Sequence, residues 1–202
     1  MTIRYLALLA SLSLTACTAV PTHYYTLVPG ENASDASTRT AAPGFQFEMQ
    51  PVRIPVQVDQ PQVVVRESNG SLAILENQRW SAPLADEFHD ALSAEMERKL
   101  GIRDLAGLPK ASGVPILSLQ TDVRRFDTVP GQYALIDVVW SIGQRKEGDK
   151  RRSLTCSSVI RQPAGAGVQD TVLAHQQAIA KLATIISGTA QRFVQGGGVG
   201  CP

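Results

Sequence analysis

Few side chains in this sequence can form or break covalent bonds. Its 202 residues include three cysteines (Cys17, Cys156, Cys201) and three histidines (His23, His89, His175). The histidines make no His-Glu-x-x-His motif or metal-spaced pair, and no Cys-x-x-Cys accompanies them. His89 and His175 lie beside apolar stripes of helical period, where packing or solvation explains them better than ligation. No Gly-x-Ser-x-Gly elbow serves acyl transfer, and no phosphate-cradling glycine loop follows a strand pattern. The carboxylate pairs Asp86-Glu87 and Asp122 with Asp127 read as solvated surface or helix-start charge. No catalytic residue, metal ligand or cofactor is therefore assigned, and the protein is not expected to be an enzyme.

The thiols remain, and Cys17 has a context. Arg4 gives the first residues one positive charge, and the apolar run Tyr5–Leu14 follows without any charge. That run has signal-peptide length and is too short to span a bilayer. It ends in Leu14-Thr15-Ala16-Cys17, which resembles the lipobox of exported lipoproteins. In that motif the thiol takes a diacylglycerol and the chain is cut before the cysteine. Each buried methylene contributes roughly 0.8 kcal/mol, so several acyl chains anchor stably where one does not. Residues 1–16 are thus expected as a lipoprotein signal peptide, with Cys17 as the lipid attachment site. Thr18, in place of the aspartate that commonly retains such proteins at the inner membrane, favours the periplasmic face of the outer membrane.

Export places the other two thiols in an oxidising compartment, with no further cysteine to pair with. A Cys156–Cys201 disulfide is predicted, tying down the tail Gly196-Gly197-Gly198-Val199-Gly200. The competing arrangement leaves Cys156 as a buried free thiol and Cys201 exposed.

A formal net charge of +1 directs no broad field at nucleic acid or acidic lipid. Hydrophobic residues make up 44% and charged residues 18%, which excludes a disordered chain. One local basic run stands out: Arg145, Lys146, Lys150, Arg151 and Arg152, interleaved with Glu147 and Asp149. It reads as a solvated hairpin tip or, more sharply, as a contact for a partner or for anionic headgroups. No aromatic ladder accompanies it, so nucleic acid is disfavoured.

The elements that must position these residues follow from period. Tyr24-Tyr25-Thr26-Leu27 is β-prone, and residues 29–43 have loop or tether composition. Phe45, Phe47 and Met49 alternate, and the run continues through Val52 and Ile54 as an edge restricted by Pro51 and Pro55. Val63–Ser68 and Ser71–Glu76 flank Asn69-Gly70, the sequence of a type I′ hairpin with positive φ at both central residues. A helix is expected with Ser81 as N-cap and Pro83 in its first turn. Leu84, Phe88, Leu92, Met96 and Leu100 form its stripe, and Gly101 is its stop. Strands are expected over 114–126, 132–143 and 153–162, and a second helix over about 169–193. Its stripe runs Val172, Gln176, Ile179, Ala183, Ile186, Ala190, Phe193, interrupted only by Gln176. The fold class is α/β or α+β: helices packed on a mixed, mainly antiparallel sheet in a three-layer sandwich. The expected divisions are 1–16 for the signal peptide, 17–43 for anchor, short strand and tether, and 44–202 for one domain.

Several segments together resemble the PqiC/YmbA-type ABC-transport auxiliary lipoproteins. They are the lipobox, Tyr24-Tyr25-Thr26-Leu27, Val52-Arg53-Ile54-Pro55, Gln60-Pro61-Gln62-Val63-Val64-Val65-Arg66 and Asn77-Gln78-Arg79-Trp80-Ser81-Ala82-Pro83-Leu84. Arg125-Phe126, the Trp140 strand and the last helix fit the same plan. The resemblance implies a TolB-N-terminal-like domain. It also implies an accessory, outer-membrane-anchored role in MCE-type systems that move phospholipid or other hydrophobic molecules between membranes. The implied partners are a periplasmic MCE-domain protein and its inner-membrane permease; self-association stays open. In that picture the lipid on Cys17 holds the domain, residues 29–43 lend it reach, and an exposed face docks the partner. The alternative is a lipid carrier with its own hydrophobic pocket, because an apolar cavity and an apolar core share one composition.

Overall fold

Leu84, Phe88, Leu92, Met96 and Leu100 come together on one face of helix α1 (Leu84–Leu100), each at most 7% exposed. The computed structural model describes residues 20–30, 44–146, 148, 150–196 and 200–202. The signal peptide, Cys17 and residues 31–43 lie outside the described residues. α1 ends as its sequence demands: Gly101 takes a left-handed conformation (φ 70°) and its N–H reaches the Glu97 carbonyl at 2.8 Å. Its start differs from expectation. Pro83, not Ser81, is the N-cap, and its carbonyl accepts the N–H groups of Asp86 and Glu87 at 2.9 and 3.0 Å. Ser81 is held in the adjoining sheet instead, its N–H donating to the Tyr25 carbonyl at 2.8 Å.

Helix α2 (Val168–Val194) buries Val172, Ile179, Ala183, Ile186, Ala190 and Phe193. Its first turn is closed by Asp170, whose Oδ2 accepts the Gly167 N–H at 3.1 Å. The two helices pack on each other, and α2 lies across a four-stranded sheet. The strands are β2 (Gln46–Met49), β5 (Ile116–Val129), β6 (Tyr133–Arg145) and β7 (Arg152–Pro163), ordered β2-β5-β6-β7. β2 runs parallel to β5, and the other pairs are antiparallel. The clean alternation in β6 sends Ala134, Ile136, Val138, Trp140 and Ile142 to the helix side, all fully buried. The opposite face of this sheet carries Glu48, Ser118, Gln120, Ser141, Thr155 and Ser157.

A second sheet, ordered β1-β4-β3, comprises β1 (His23–Tyr25), β3 (Gln62–Arg66) and β4 (Leu72–Trp80). The strands therefore divide between two mixed sheets, and the fold is α+β with two helices packed on them. β2 stops at Met49, because Pro51 and Pro55 lack the N–H a ladder needs. Arg53 keeps only an isolated bridge to Asp122. The β3–β4 hairpin forms, though not with a type I′ turn: Gly70 has φ 86°, whereas Asn69 does not have positive φ. Glu67 and Ser71 close a three-residue loop, and Asn69 Oδ1 accepts the Ser71 N–H at 2.9 Å.

The short strand near the expected anchor is built into the fold. β1 pairs with β4 in parallel, and Leu27 is fully buried. The Leu27 N–H and the Thr26 hydroxyl each donate to Glu87 Oε2 at 2.8 Å. The Ala82 N–H (3.1 Å) and the Ser81 hydroxyl donate to Oε1. Gln176, the polar break in the α2 stripe, donates to the Thr26 carbonyl at 3.0 Å. Residues 29–43 follow this pinned segment in the chain, and five residues (18–22) stand between Cys17 and β1.

Candidate functional site

The basic run maps to the β6–β7 end of the four-stranded sheet, and pleating splits it. Arg145 closes β6, and its guanidinium stands 3.9 Å from Glu48 Oε1. Arg151 lies over Gly143, with Nη2 3.7 Å from where a Cβ would sit. Both belong to the face away from the helices. Arg152 turns to the helix face, its guanidinium 4.8 Å from the centre of the Phe193 ring at the end of α2. Lys146 borders a neighbouring depression with Lys110, Gly113 and Val114, and Lys150 is exposed between β6 and β7.

Cross-strand register then builds a cleft of about 260 Å³ on the outer face. One row reads Glu48, Ser118, Gly143, Ser153 across β2, β5, β6 and β7. The adjoining row contributes Gln120 and Ser141, with Gln50 beside them. Gly143 supplies no side chain, so it forms the floor, while Arg145 and Arg151 line one end. Glu48 is buried against β5; Lys110 Nζ reaches its Oε2 at 2.8 Å and the Ser118 hydroxyl its Oε1 at 2.6 Å. Burial works to raise the Glu48 pKa. The hydrogen bonds from Lys110 and Ser118, with the charges of Lys110 and Arg145, outweigh it and hold the carboxyl below its ordinary value. Glu48 is therefore ionised at neutral pH and orients Lys110 and Arg145.

Elsewhere the reactive side chains are structural. Cys156 and Cys201 form a disulfide with Cα atoms 5.5 Å apart, joining the tail to mid-β7. His175 is fully buried, stacked on Phe126 with ring centroids 3.8 Å apart, and Thr128 Oγ1 lies 3.0 Å from its Nε2. Burial pushes its pKa down to about 3, so the imidazole is neutral. His89 pairs with Asp90 at 3.0 Å. Among the described residues no three His, Cys, Asp or Glu side chains gather as a metal site, and no helix is long and apolar enough to cross a membrane.

Sequence reasoning missed Glu48, Lys110 and Glu87. Glu48 sits on the polar side of the Phe47–Met49 alternation, and its partner Lys110 lies far along the chain, so no local pattern marks either. Glu87 could be seen only as a helix-start carboxylate; the donors that bury it come from Thr26 and Leu27.

Residues 25–187 match the family model described as the ABC-type transport auxiliary lipoprotein component. No curated protein is significantly similar to this chain. Among solved structures, one described only as an uncharacterised protein superposes with a TM-score of 0.60 at 18% identity, over 84% of this chain and 98% of that one. A protein from Xanthomonas campestris assigned to the family DUF330 gives a TM-score of 0.56 at 20% identity, over 86% and 98%. At these identities the likeness establishes a shared fold.

Proposed function

This chain belongs to the family of ABC-type transport auxiliary lipoprotein components, and from that membership we propose that it is the lipoprotein subunit of an MCE-type intermembrane transport system. In this reading it is anchored at the periplasmic face of the outer membrane through Cys17. It docks the periplasmic MCE-domain protein, whose inner-membrane permease completes the system that moves phospholipid or another hydrophobic molecule and maintains envelope integrity. The observation that carries the reading is the family match across residues 25–187. The lipobox ending at Cys17 and the Thr18 that follows it support the location.

The geometry supports docking over chemistry. Glu48 and Glu87, like Asp104 and Asp127, are engaged with neighbouring side chains and backbone, and His175 is sealed in the core. Only five residues (18–22) separate Cys17 from β1, so the anchor is short and is attached to an element fixed in the fold. The exposed Arg145, Lys146, Lys150 and Arg151 offer an acidic partner or an anionic headgroup a charged contact. The carrier alternative draws no support from the space between sheet and helices, which Trp140, Phe88, Leu92, Leu182 and Ile186 fill with fully buried side chains.

A pull-down from detergent-solubilised membranes, with a tag after Pro202 and mass spectrometry of the eluate, tests the role. Co-purification of an MCE-domain protein with its permease is the expected result. The lipoprotein recovered alone with bound phospholipid would favour the carrier.

A further inference from the structure

We propose that the cleft on the outer sheet face is a binding site for a phosphate ester bearing hydroxyl groups. The phosphate sits between Arg145 and Arg151, and the hydroxyls lie along the floor made by Ser118, Ser141, Ser153 and Gln120.

The cleft has two chemically distinct ends. At one end two guanidinium groups present planar forks of N–H donors, the geometry suited to phosphate oxygens. Along the rest, hydroxyl and amide side chains from three strands present alternating donors and acceptors. Ser141 already accepts from the Thr155 hydroxyl at 3.1 Å, which leaves its own O–H to donate outward. The facing charges are Arg145, Arg151, Lys110 and Glu48. Glu48 is neutralised by Lys110 at 2.8 Å, so the surplus at the open end is positive. A carboxylate held by lysine and serine does not repel the ligand as a free one would, and it stands 3.9 Å from the Arg145 guanidinium.

Gly143 is the second part of the argument. It stands third from the end of β6, still paired to Ser118 on one side and Ser153 on the other, where glycine weakens a sheet. A Cβ there would meet the Arg151 guanidinium at an ordinary 3.7 Å, so a larger side chain, and not a methyl group, would fill the floor. A volume of about 260 Å³ suits a headgroup-sized molecule, not a folded partner. The ester has two sources, a phospholipid headgroup such as phosphoglycerol or a free polyol phosphate. This inference extends the headgroup contact named above and needs no transporter: a failed pull-down leaves it standing, and a failed titration leaves docking standing.

The test is calorimetric titration of the mature lipoprotein in non-ionic detergent with sn-glycerol 3-phosphate, inorganic phosphate and dihexanoyl phosphatidylglycerol below its micellar concentration. Saturable one-to-one binding of glycerol 3-phosphate, tighter than that of inorganic phosphate, is expected. Arg145→Gln and Arg151→Gln should each weaken it at least tenfold, and Lys181→Gln, on the exposed side of α2, should leave it unchanged. Gly143→Val, which improves strand propensity while filling the floor, should abolish it with the melting temperature held or raised. Competition by the phosphatidylglycerol would identify the headgroup as the source; binding of the free ester alone would identify the polyol phosphate. No saturation by any probe, affinities unaltered by the three site variants, or displacement by an acidic peptide that binds more tightly would overturn the proposal.

Discussion

Glu87 is 3% exposed and accepts four hydrogen bonds, from Thr26, Leu27, Ser81 and Ala82. Two of those donors are backbone N–H groups that lose their acceptor if the carboxylate is removed. Leaving buried donors unsatisfied costs about 1–3 kcal/mol each, so Glu87→Ala should destabilise by about 3 kcal/mol or more in urea unfolding. Glu87→Gln should fall between, since its amide nitrogen faces donors where one carboxylate oxygen stood. Equal stability of Glu87→Ala and the wild type would remove the clamp from the account. His175 gives a pH dependence with a definite sign. Its ordinary value of 6.5 applies to the unfolded chain, and burial lowers it to about 3 in the fold. Between these values the unfolded state binds the extra proton, so the contribution is complete above about 6.5 and shrinks as pH falls toward 3, by at most about 1.4 kcal/mol per unit. His175→Leu should flatten the stability–pH slope between pH 6 and 4 relative to wild type, whatever it does to stability at pH 7. Identical slopes would mean that His175 is charged in the fold or reaches solvent.

At the scale of elements, the disulfide has the clearest measurable effect. Cys156 and Cys201 are 45 residues apart, and a loop of that length gives about 4 kcal/mol of chain-entropy stabilisation. Cys201→Ser should lower stability by up to that amount, and the unreduced wild type should show neither thiol to a labelling reagent. Labelling of both cysteines without reductant would contradict the bridge. The pairing was legible in the sequence because only two thiols remain after Cys17. The helices were legible too: five residues at four-residue spacing and a glycine stop leave α1 little freedom. What could not be read was tertiary. Ser81 has every local qualification of an N-cap, yet its backbone is taken by Tyr25, and Pro83 does the work. Asn69-Gly70 favours a type I′ turn, but one side-chain bond to Ser71 suits a longer loop. In the candidate site, the basic run was visible as charge. Its division between two faces follows from the pleat, with Arg151 over Gly143 and Arg152 on Phe193.

At the scale of the whole molecule, the placement of β1 decides how the proposed lipid anchor at Cys17 would hold the protein at a membrane. Composition suggested that residues 29–43 form the tether, because nothing local reveals that His23–Tyr25 pairs with β4, some fifty residues later. With β1, Leu27 and Glu87 locked together, five residues (18–22) separate Cys17 from β1, and five residues span at most about 20 Å fully extended. Under the proposed lipid anchor at Cys17, the domain would stand against the bilayer, with Val20 and Tyr24, 67% and 66% exposed, at its near end. Neutron reflectometry of the lipidated protein on a supported bilayer measures this height. Protein density should begin within about 20 Å of the headgroups. A twenty-residue Gly/Ser segment has an r.m.s. span of about 25 Å, so inserted between Thr22 and His23 it should widen the gap by a distance of that order. Placed between Ala36 and Ser37, the same segment should leave the height unchanged, because that position follows the pinned strand in the chain. Both insertions should preserve the melting temperature to within a few degrees, since lengthening a loop costs little. A gap that widens with the second insertion and not the first would mean that β1 leaves β4 at the membrane and that residues 29–43 are the tether after all.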